Sequence, residues 1–595
     1  MKSRIEVNLL ILIAASALRT VLSVEDPNLI VIMTDEHNLR TIGAYRKLMN
    51  TEQAFPWGPG VELETPNIDR LASEGALFNN FYAVSPLCTP SRASFMTGLY
   101  PKFTGSSWKN HGKLNKKRKT FANELRALKG YATSYLGKWH LNGKKSSTTD
   151  FGDKSRKFGF QNIDYQYNRG HWKYFNETAN GITAFEWSDR SKFVRNGMNE
   201  NDYYATDFLF DKAKDFIREK AAKGKNFAVM LSIADPHDPN NVRAPYDTMF
   251  DHLNFGLPST AQKAMHSTPA LPSWAAMSEF TPLQADELIT DFENDQLTQD
   301  SMRQVFGMIK LVDDKIGRLL KFLEKKGLDQ NTIIVMTSDH GDMMYEHGRT
   351  NKGVPFKASA QVPFLVRWPK GITPGKVINT AYSSVDFVPT ILGLMGVESR
   401  IQSQGIDGSA ELLGNELVSI NEDQIRFLTD SKQRQWVAAI TNRYKLVLSE
   451  DIPWFFDMDL DPDELINFYN DPTYAEVVAK LQPPLIDAVT SYKLSMEPRQ
   501  FLAGTPACYD SKDEIPGWDN RLCEDLHSTE FSAACIWDFV SAACPRVCNK
   551  CCDDSIGEIW LFGSMKTCDM MNTDAKFCTK ESAQLFCPSA CGLCA

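Results

Sequence analysis

The chain has 595 residues, a hydrophobic content of 43%, a charged content of 23% and a formal net charge of −9. These values are typical of a folded globular protein, and a chain of this length divides into a large domain and smaller modules. The negative charge argues against general nucleic-acid binding, because no basic field dominates the surface.

The N-terminal segment, residues 1–23, has the features of a secretory signal peptide. A basic start precedes an apolar stretch, and Val21-Leu22-Ser23 gives a small-residue cleavage context. A membrane anchor is the disfavoured alternative, because the apolar run is short and Arg19 interrupts it. Asn176-Glu177-Thr178 is a glycosylation acceptor, useful only in an exported protein. We predict a glycoprotein without a transmembrane segment that is secreted or held in the lumen of the secretory or endolysosomal pathway.

Four short, continuous apolar runs are typical of buried strands in an α/β sheet. They span residues 28–33, 131–136, 227–233 and 332–336. Helical patterns, with apolar residues in steps of three or four, lie between them at 206–223 and 301–323. Strands that alternate with helices predict a largely parallel sheet covered on both faces.

Polar side chains follow each of these four strands. The segments are Asp35-Glu36, Gly137-Lys138-Trp139-His140, Asp235-Pro236-His237-Asp238 and Ser338-Asp339-His340. One such ending is usually a polar turn. Because ligands in these sheets bind beyond the carboxyl ends of the strands, four together predict a functional site at this edge.

The sequence changes character after a predicted large domain, residues 26–409. Residues 436–440 and 444–448 flank Thr441-Asn442-Arg443 and are typical of a β-hairpin. We therefore predict a smaller α+β subdomain over residues 410–500.

The cysteines divide sharply between the two ends of the chain. Twelve of the thirteen lie in the last 88 residues, whereas Cys88 stands alone. The twelve form two sets of six, in residues 508–551 and 552–594, whose last three spacings of nine, four and three residues are identical. We interpret the tail as two copies of one disulfide-rich module, each too short for a hydrophobic core. Zinc binding is the alternative, which export and the even count disfavour.

The segment Cys88-Thr89-Pro90-Ser91-Arg92 resembles the Cys-x-Pro-x-Arg signature of the sulfatase family. In that family the cysteine is oxidised to Cα-formylglycine (3-oxoalanine), and the isolation of Cys88 would keep it out of disulfides. The resemblance covers about residues 26–500 and implies an alkaline-phosphatase-like α/β sandwich with a smaller C-terminal subdomain. It implies a secreted sulfatase that acts on a sulfated carbohydrate or other sulfate ester, with a formylglycine-generating enzyme as its partner during maturation.

The resemblance also implies the reaction. The hydrate of formylglycine carries two hydroxyls on one carbon, of which one attacks sulfur and becomes sulfated. The other then loses its proton and expels sulfate, which restores the aldehyde. A sulfated serine has no second hydroxyl on that carbon and could not release sulfate in this way.

The same resemblance assigns a site for one divalent cation, most often Ca²⁺ in this family. With the modified Cys88, its ligands would be Asp35, Glu36, Asp339 and His340. Oxygen-rich coordination suits a hard cation, which would polarise the sulfate and lower the pKa of the hydrate hydroxyl. Asp339 would also be the base for that hydroxyl. Two ligands depart from the family pattern, because His340 stands where Asn is frequent and Glu36 where a second Asp is common.

Five further residues carry over from the family motifs. Arg92 would steady the formylglycine and the metal carboxylates. Lys138 would lie near the aldehyde and the sulfate, and His140 would deprotonate the second hydroxyl. His237 and Lys352 would contact the sulfate oxygens, and one of them would protonate the leaving alcohol. Fixed cationic groups stabilise the charge that develops in such a transition state.

The remaining histidines have no comparable motif and are interpreted as structural or surface residues. They are His37, His111, His171, His252, His266, His347 and His527. Without their motifs, His140 and His237 would be interpreted in the same way.

A basic run follows the Cys88 motif. It consists of Lys109, Lys113, Lys116, Lys117, Arg118 and Lys119. The run is either a guide for a polyanionic substrate or a solvated loop. Substrate contacts after Lys352 do not transfer, because the sequence departs there from the family pattern.

The two tail modules resemble ShK-toxin-like (ShKT) domains, which are appended to many secreted enzymes. The pairing in that family implies the bridges Cys508-Cys551, Cys523-Cys544, Cys535-Cys548, Cys552-Cys594, Cys568-Cys587 and Cys578-Cys591. The sequence alone leaves fifteen connectivities open for each module. The modules would attach the enzyme to a matrix or polysaccharide, or serve only as disulfide-stapled ends.

Two other functions fit parts of the sequence. A phosphate or phosphonate monoester hydrolase of the same superfamily would share the metal acids and histidines, but its nucleophile is more often Ser or Thr. A catalytically dead, secreted carbohydrate-binding protein would not need matches at every catalytic position. The Cys88 motif favours a sulfatase over the first, although some phosphonate hydrolases also use formylglycine, and the intact matches at every catalytic position argue against the second.

Overall fold

The computed structural model describes most of the chain before the tail and one hairpin within it. The described residues are 26–106, 110–143, 151–191, 199–261, 292–414, 424–430, 436–449, 453–496, 558–561 and 564–567. The predicted signal peptide and the twelve tail cysteines lie outside these residues, so the ShKT modules and their pairing stay predictions.

An eight-stranded sheet forms the centre of the described structure. With strands numbered along the chain, its spatial order is β11 (Lys376–Ile378), β2 (Ala76–Phe78), β10 (Phe364–Arg367), β9 (Thr332–Ser338), β1 (Asn28–Asp35), β8 (Phe227–Pro236), β4 (Ala132–Lys138) and β5 (Gln166–Tyr167). The five neighbouring strands β9, β1, β8, β4 and β5 are all parallel to one another, whereas β10 runs antiparallel to both of its neighbours. This confirms the predicted α/β fold with a largely parallel sheet.

The four predicted strands are β1, β4, β8 and β9, and they lie side by side in the middle of this sheet. Since all four are parallel, their carboxyl ends share one edge. The polar segments that follow them are therefore brought together by the fold.

Helices cover both faces of the sheet. The α-helices are α1 (Gly43–Arg46), α2 (Thr51–Ala54), α3 (Pro66–Ser73), α4 (Cys88–Thr97), α5 (Pro101–Thr104), α6 (Phe121–Lys129), α7 (Glu200–Tyr203), α8 (Ala205–Ala222), α9 (Gln296–Lys325), α10 (Lys357–Ala360), α11 (Phe387–Leu394), α12 (Ser409–Leu412) and α13 (Ala475–Ser491). Short 3-10 helices span Leu39–Thr41, Lys154–Arg156, Trp187–Asp189, Glu346–Gly348, Ser384–Asp386 and Pro472–Tyr474.

Alternate side chains of β1 pack on opposite faces of the sheet. Leu29, Val31 and Met33 pack into a core shared with α4, α6 and α11, whereas Ile30 and Ile32 pack against α8 and α9. Successive side chains of a strand point to opposite faces, so one continuous apolar run serves both cores.

Both predicted helices are present as α8 and α9. The second begins earlier than predicted, at Gln296 instead of Ser301. The reason is a cap that lies upstream of the apolar periodicity, because the Asp295 side chain accepts hydrogen bonds from the backbone of Leu297 and Thr298.

The predicted C-terminal hairpin lies within a second, antiparallel sheet. Its strands are β13 (Arg426–Thr429), β14 (Trp436–Ile440), β15 (Tyr444–Ser449) and β16 (Trp454–Asp457). One face packs against α13, and the other packs on Tyr82 and Phe356 of the large domain. The boundary at residue 410 stays a prediction.

Three smaller pairings complete the described strands. They are β3 (Phe81–Tyr82) with β12 (Tyr382–Ser383), β6 (Tyr174–Thr178) with β7 (Gly181–Phe185), and β17 (Glu558–Leu561) with β18 (Ser564–Thr567). Asn176 lies half-buried in β6, and its glycosylation stays a prediction. No helix within the described ranges has the length and apolar character to cross a membrane.

Candidate active site

Cys88 is buried at the first residue of α4 and faces the shared edge of the four strands. Arg92 follows four residues later, so its side chain lies on the same face of the helix. The start of α4 is held by two hydroxyls of the motif. Ser91 Oγ donates to the carbonyl of Asp339 at 2.5 Å, and Thr89 Oγ1 donates to the carbonyl of His140 at 3.0 Å.

Arg92 bridges three adjacent strands on the side where their carboxyl ends lie. Its Nε donates to Oδ2 of Asp339 at 2.8 Å, and its Nη2 lies 3.3 Å from Oδ2 of Asp35. A third nitrogen, Nη1, donates to Ser232 Oγ at 2.7 Å. The charged groups of Arg92, Asp35 and Asp339 are all fully buried, so each needs an opposite charge nearby for compensation. Burial alone would raise the pKa of Asp35, but Lys138 and Arg92 hold that pKa well below its usual value.

Four buried side chains lie close enough together to hold a metal ion. One ligating atom from each of Asp35, Cys88, Asp339 and His340 lies within 4.8 Å of the other three. His340 Nε2 is 3.3 Å from Cys88 Sγ and 3.6 Å from Asp339 Oδ1. Sγ here marks the position that a formylglycine oxygen would take. Carboxylate oxygens with one imidazole fit a divalent cation.

Two buried carboxylate oxygens support that fit. Asp35 Oδ1 and Glu36 Oε1 have no hydrogen-bond partner among the described residues. An unsatisfied buried oxygen is costly unless a cation or another donor faces it. Glu36 is outside the four-residue group, and its other oxygen lies 2.6 Å from Lys352 Nζ and 2.9 Å from His237 Nε2. Its role as a ligand therefore stays a prediction.

A cationic cluster lies beside the metal candidates. Lys138 Nζ is ion-paired with Asp35, and Lys352 Nζ is 3.0 Å from His237 Nε2. Burial would lower the pKa of His237, but the carboxylates of Glu36 and Asp35 raise it well above its usual value. These groups could hold a tetrahedral anion such as a sulfuryl group.

His140 is paired with a second histidine. His111 Nδ1 lies 2.8 Å from His140 Nε2, and the backbone N–H of His111 donates to Thr89 Oγ1 at 3.0 Å. Burial lowers the pKa of His140 to about 4, so its imidazole is neutral at physiological pH and can accept a proton.

The structure thus brings together every residue that the sequence assigned to the site, and it adds His111 and His171. Both were interpreted as structural or surface residues. His171 Nε2 lies 2.7 Å from Lys138 Nζ and 3.8 Å from Asp35 Oδ2. His171 follows the carboxyl end of β5, as the other site residues follow their strands. The sequence gives no sign of this, because β5 has only two residues, too few to show an apolar run.

Comparison with known families identifies the family of the chain. Residues 27–397 match the family model described as Sulfatase. The chain belongs to the sulfatase family. Residues 345–490 also match the model described as N-sulphoglucosamine sulphohydrolase, C-terminal. Membership of this family makes the protein a sulfuric ester hydrolase.

Curated sulfatases are similar over most of the chain. The uncharacterised sulfatase YidJ of Escherichia coli is 28% identical, over 79% of this chain and 90% of that protein. The N-acetylglucosamine-6-O-sulfatase of Bacteroides thetaiotaomicron is also 28% identical, over 78% of this chain and 87% of that protein.

Two solved structures share the fold. One, in complex with its substrate D-glucosamine-2-N,6-O-disulfate, has a TM-score of 0.59 at 24% identity and covers 79% of this chain and 98% of its own. The phosphonate monoester hydrolase of Agrobacterium radiobacter has a TM-score of 0.57 at 20% identity, over 78% of this chain and 96% of its own. The fold therefore does not separate sulfate from phosphonate chemistry, and the reaction class rests on the family match.

Proposed function

We propose that this sulfatase hydrolyses sulfate esters of a carbohydrate through a formylglycine derived from Cys88. The observation that carries the proposal is the position of Cys88. Its Sγ is buried at the meeting point of four strand ends and faces His340 at 3.3 Å. A structural cysteine would be expected among apolar neighbours instead.

One divalent cation would be held by Asp35, Asp339, His340 and the modified Cys88, with Glu36 as a further ligand, and the oxygen-rich ligands favour Ca²⁺. When bound, it would supply Lewis-acid polarisation of the sulfate ester. Arg92 keeps two of these carboxylates at a fixed spacing, because it contacts both Asp35 and Asp339.

The chain's own residues divide the proton transfers between them. Asp339 is the proposed base for the hydrate hydroxyl that attacks sulfur. His140 is the proposed base for the second hydroxyl, whose deprotonation expels sulfate from the residue. The second step needs no external nucleophile, because the hydroxyl and the sulfate share one carbon.

Lys138, Lys352 and His237 are proposed to bind the sulfate oxygens. Of these, His237 is the proposed acid for the leaving alcohol. An imidazolium gives up its proton more readily than an ammonium, whose pKa is ordinarily about 10.4. Lys352, held at 2.6 Å from Glu36, would remain charged and stabilise the sulfuryl group.

The carbohydrate part of the proposal has support from relatives. One is an N-acetylglucosamine-6-O-sulfatase, and another, 28% identical over 78% of this chain, is the ulvan-active sulfatase of Formosa agariphila. The predicted signal peptide and ShKT-like tail support action outside the cytoplasm on a matrix-bound or polymeric substrate.

The test is hydrolysis of a panel of esters by the full chain, produced in a secreting host that converts the Cys-x-Pro-x-Arg motif. The panel contains sulfated monosaccharides and oligosaccharides, an aryl sulfate, a phosphate monoester and a phosphonate monoester. We expect sulfate release from at least one sulfated sugar, and none from the matched Cys88→Ala variant. Hydrolysis of the phosphonate ester without hydrolysis of any sulfate ester would contradict the proposal.

A further inference from the structure

His171 lies in the loop between β5 and β6, and its ring contacts two of the proposed sulfate-binding residues. Its Nε2 is 2.7 Å from Lys138 Nζ. Its ring is stacked on His237, with 3.6 Å between the centroids and 20° between the planes. Its side chain is 24% exposed, against 9% for His237 and 11% for Lys352, so it stands at the mouth of the site.

The contact with Lys138 fixes the role of each atom. A lysine ammonium has three N–H donors and no acceptor, so His171 Nε2 is the acceptor. Asp35 Oδ2 accepts a second N–H. With two of three N–H bonds fixed, the third has a set direction. Without His171, the ammonium would be free to turn about its contact with Asp35.

The stacking contact acts on His237, the second residue that the His171 ring touches. His237 Nε2 faces Glu36 at 2.9 Å and Lys352 at 3.0 Å, and its Nδ1 is paired with Asp238. Ring stacking holds the plane in which these contacts are made. If the His237 ring rotated, its Nε2 would no longer point at the oxygen of the leaving alcohol.

We infer that His171 is a positioning residue for sulfate ester hydrolysis, which orients Lys138 through a hydrogen bond and His237 through its ring. This inference rests on the proposed function. It assigns one ring two separable tasks, because acceptance by Nε2 and stacking use different properties of the side chain.

The loop that carries His171 is anchored by other residues. The buried Lys173 Nζ is ion-paired with Asp235 Oδ1 at 2.8 Å, and the Lys173 carbonyl accepts from the backbone of Ala205 at 2.9 Å. Trp172 Nε1 donates to the carbonyl of Arg169 at 2.8 Å. Substitution of His171 should therefore leave the fold intact.

Three variants separate the two tasks. His171→Phe keeps a ring for stacking and loses the acceptor, His171→Gln keeps an acceptor and loses the ring, and His171→Ala loses both. His252→Phe, at an exposed histidine, is the matched control. The measurements are kcat and KM on a small aryl sulfate, and the Kd for inorganic sulfate.

We expect His171→Phe to weaken sulfate binding and raise KM about tenfold, and His171→Gln to lower kcat about tenfold with a smaller change in KM. His171→Ala should lose about 100-fold in kcat/KM, the size of effect that a misplacement near 1 Å produces. The inference is overturned if all three variants stay within twofold of the wild type, or if Phe and Gln are both as impaired as Ala. A wild type that hydrolyses no sulfate ester of the panel would instead refute the proposed function.

Discussion

His340 Nε2 lies 3.3 Å from Cys88 Sγ, and this contact joins the end of β9 to the first residue of α4. It explains how a histidine can stand where the family often has Asn. The imidazole reaches into the space between Cys88, Asp35 and Asp339 and presents a nitrogen there in place of an amide oxygen.

Removal of the cation should abolish activity. Treatment with EGTA is expected to lower sulfate release to background, because the facing carboxylates would repel one another and the sulfate ester would not be polarised. Added Ca²⁺ should restore activity, and elemental analysis should find about one equivalent bound. Full activity in a metal-free sample would contradict the site.

Substitution of Arg92 should affect stability as well as activity. Arg92→Lys cannot contact both Asp35 and Asp339, so it removes at least one charge-assisted hydrogen bond from this buried cluster, at a cost of about 1.5–3 kcal/mol. A thermal melt should show a clearly lowered Tm together with loss of sulfate release. Arg70→Lys is the matched control, since its pair with Glu74 is about one-third exposed and worth about 1 kcal/mol or less. Equal melting shifts in the two variants would refute this account of Arg92.

The His111–His140 pair should act on catalysis rather than on substrate binding. His111→Ala removes the partner at 2.8 Å from His140 Nε2, which leaves the proposed second base free to rotate. We expect kcat to fall about tenfold with KM little changed, within the range of general-base effects. Steady-state kinetics on an aryl sulfate measures both. A rise in KM with unchanged kcat would place His111 in substrate binding instead.

The basic run should matter only for polymeric substrates. Lys113, Lys116 and Lys117 are exposed in the segment that follows His111. The triple alanine variant is expected to raise KM for a sulfated polysaccharide several-fold at low salt, with little effect at high salt or on an aryl sulfate. A matched triple variant at Lys220, Lys223 and Lys225 carries the same charge change on another surface. Unchanged kinetics on the polymer would remove the guiding role.

His347 gives a pH dependence of stability away from the proposed ligands. Burial lowers its pKa to about 4, and its ring stacks on Phe356 with centroids 3.8 Å apart. Because the unfolded chain takes up a proton near pH 6.5 and the folded chain does not, this stability is complete above pH 6.5 and is lost as the pH falls towards 4. The loss is about 2 kcal/mol at pH 5.

The variant His347→Asn tests this directly. Asn tolerates the left-handed backbone at this position, where φ is 53°, and does not titrate. The Tm of the wild type should fall more between pH 7 and pH 5 than that of the variant. Parallel curves for the two proteins would show that His347 is not the titrating group.

Much of the fold could be predicted from local sequence. β1, β4, β8 and β9 are continuous apolar runs, and this pattern is strong because both of their faces are buried. Their polar ends then placed Asp35, Lys138, His237 and Asp339 at one edge, and the motif around Cys88 added the nucleophile.

The positions of His111 and His171 could not be predicted in this way. His111 belongs to an irregular loop that reaches His140 through Thr89, and His171 follows a strand of two residues. Neither segment has a periodicity, so only the tertiary fold brings these rings to the site. The cap at Asp295 was missed for a related reason, since the first turn of α9 is largely exposed and lacks the apolar face.

The most direct test of the account is the chemical state of Cys88 in protein from its native source. The protein is treated with a thiol-alkylating reagent and an aldehyde-reactive hydrazide, and the peptide that contains residue 88 is analysed by mass spectrometry. We predict a hydrazone at residue 88 and no alkylated thiol in the active enzyme. An alkylated thiol throughout an active preparation would contradict the formylglycine route.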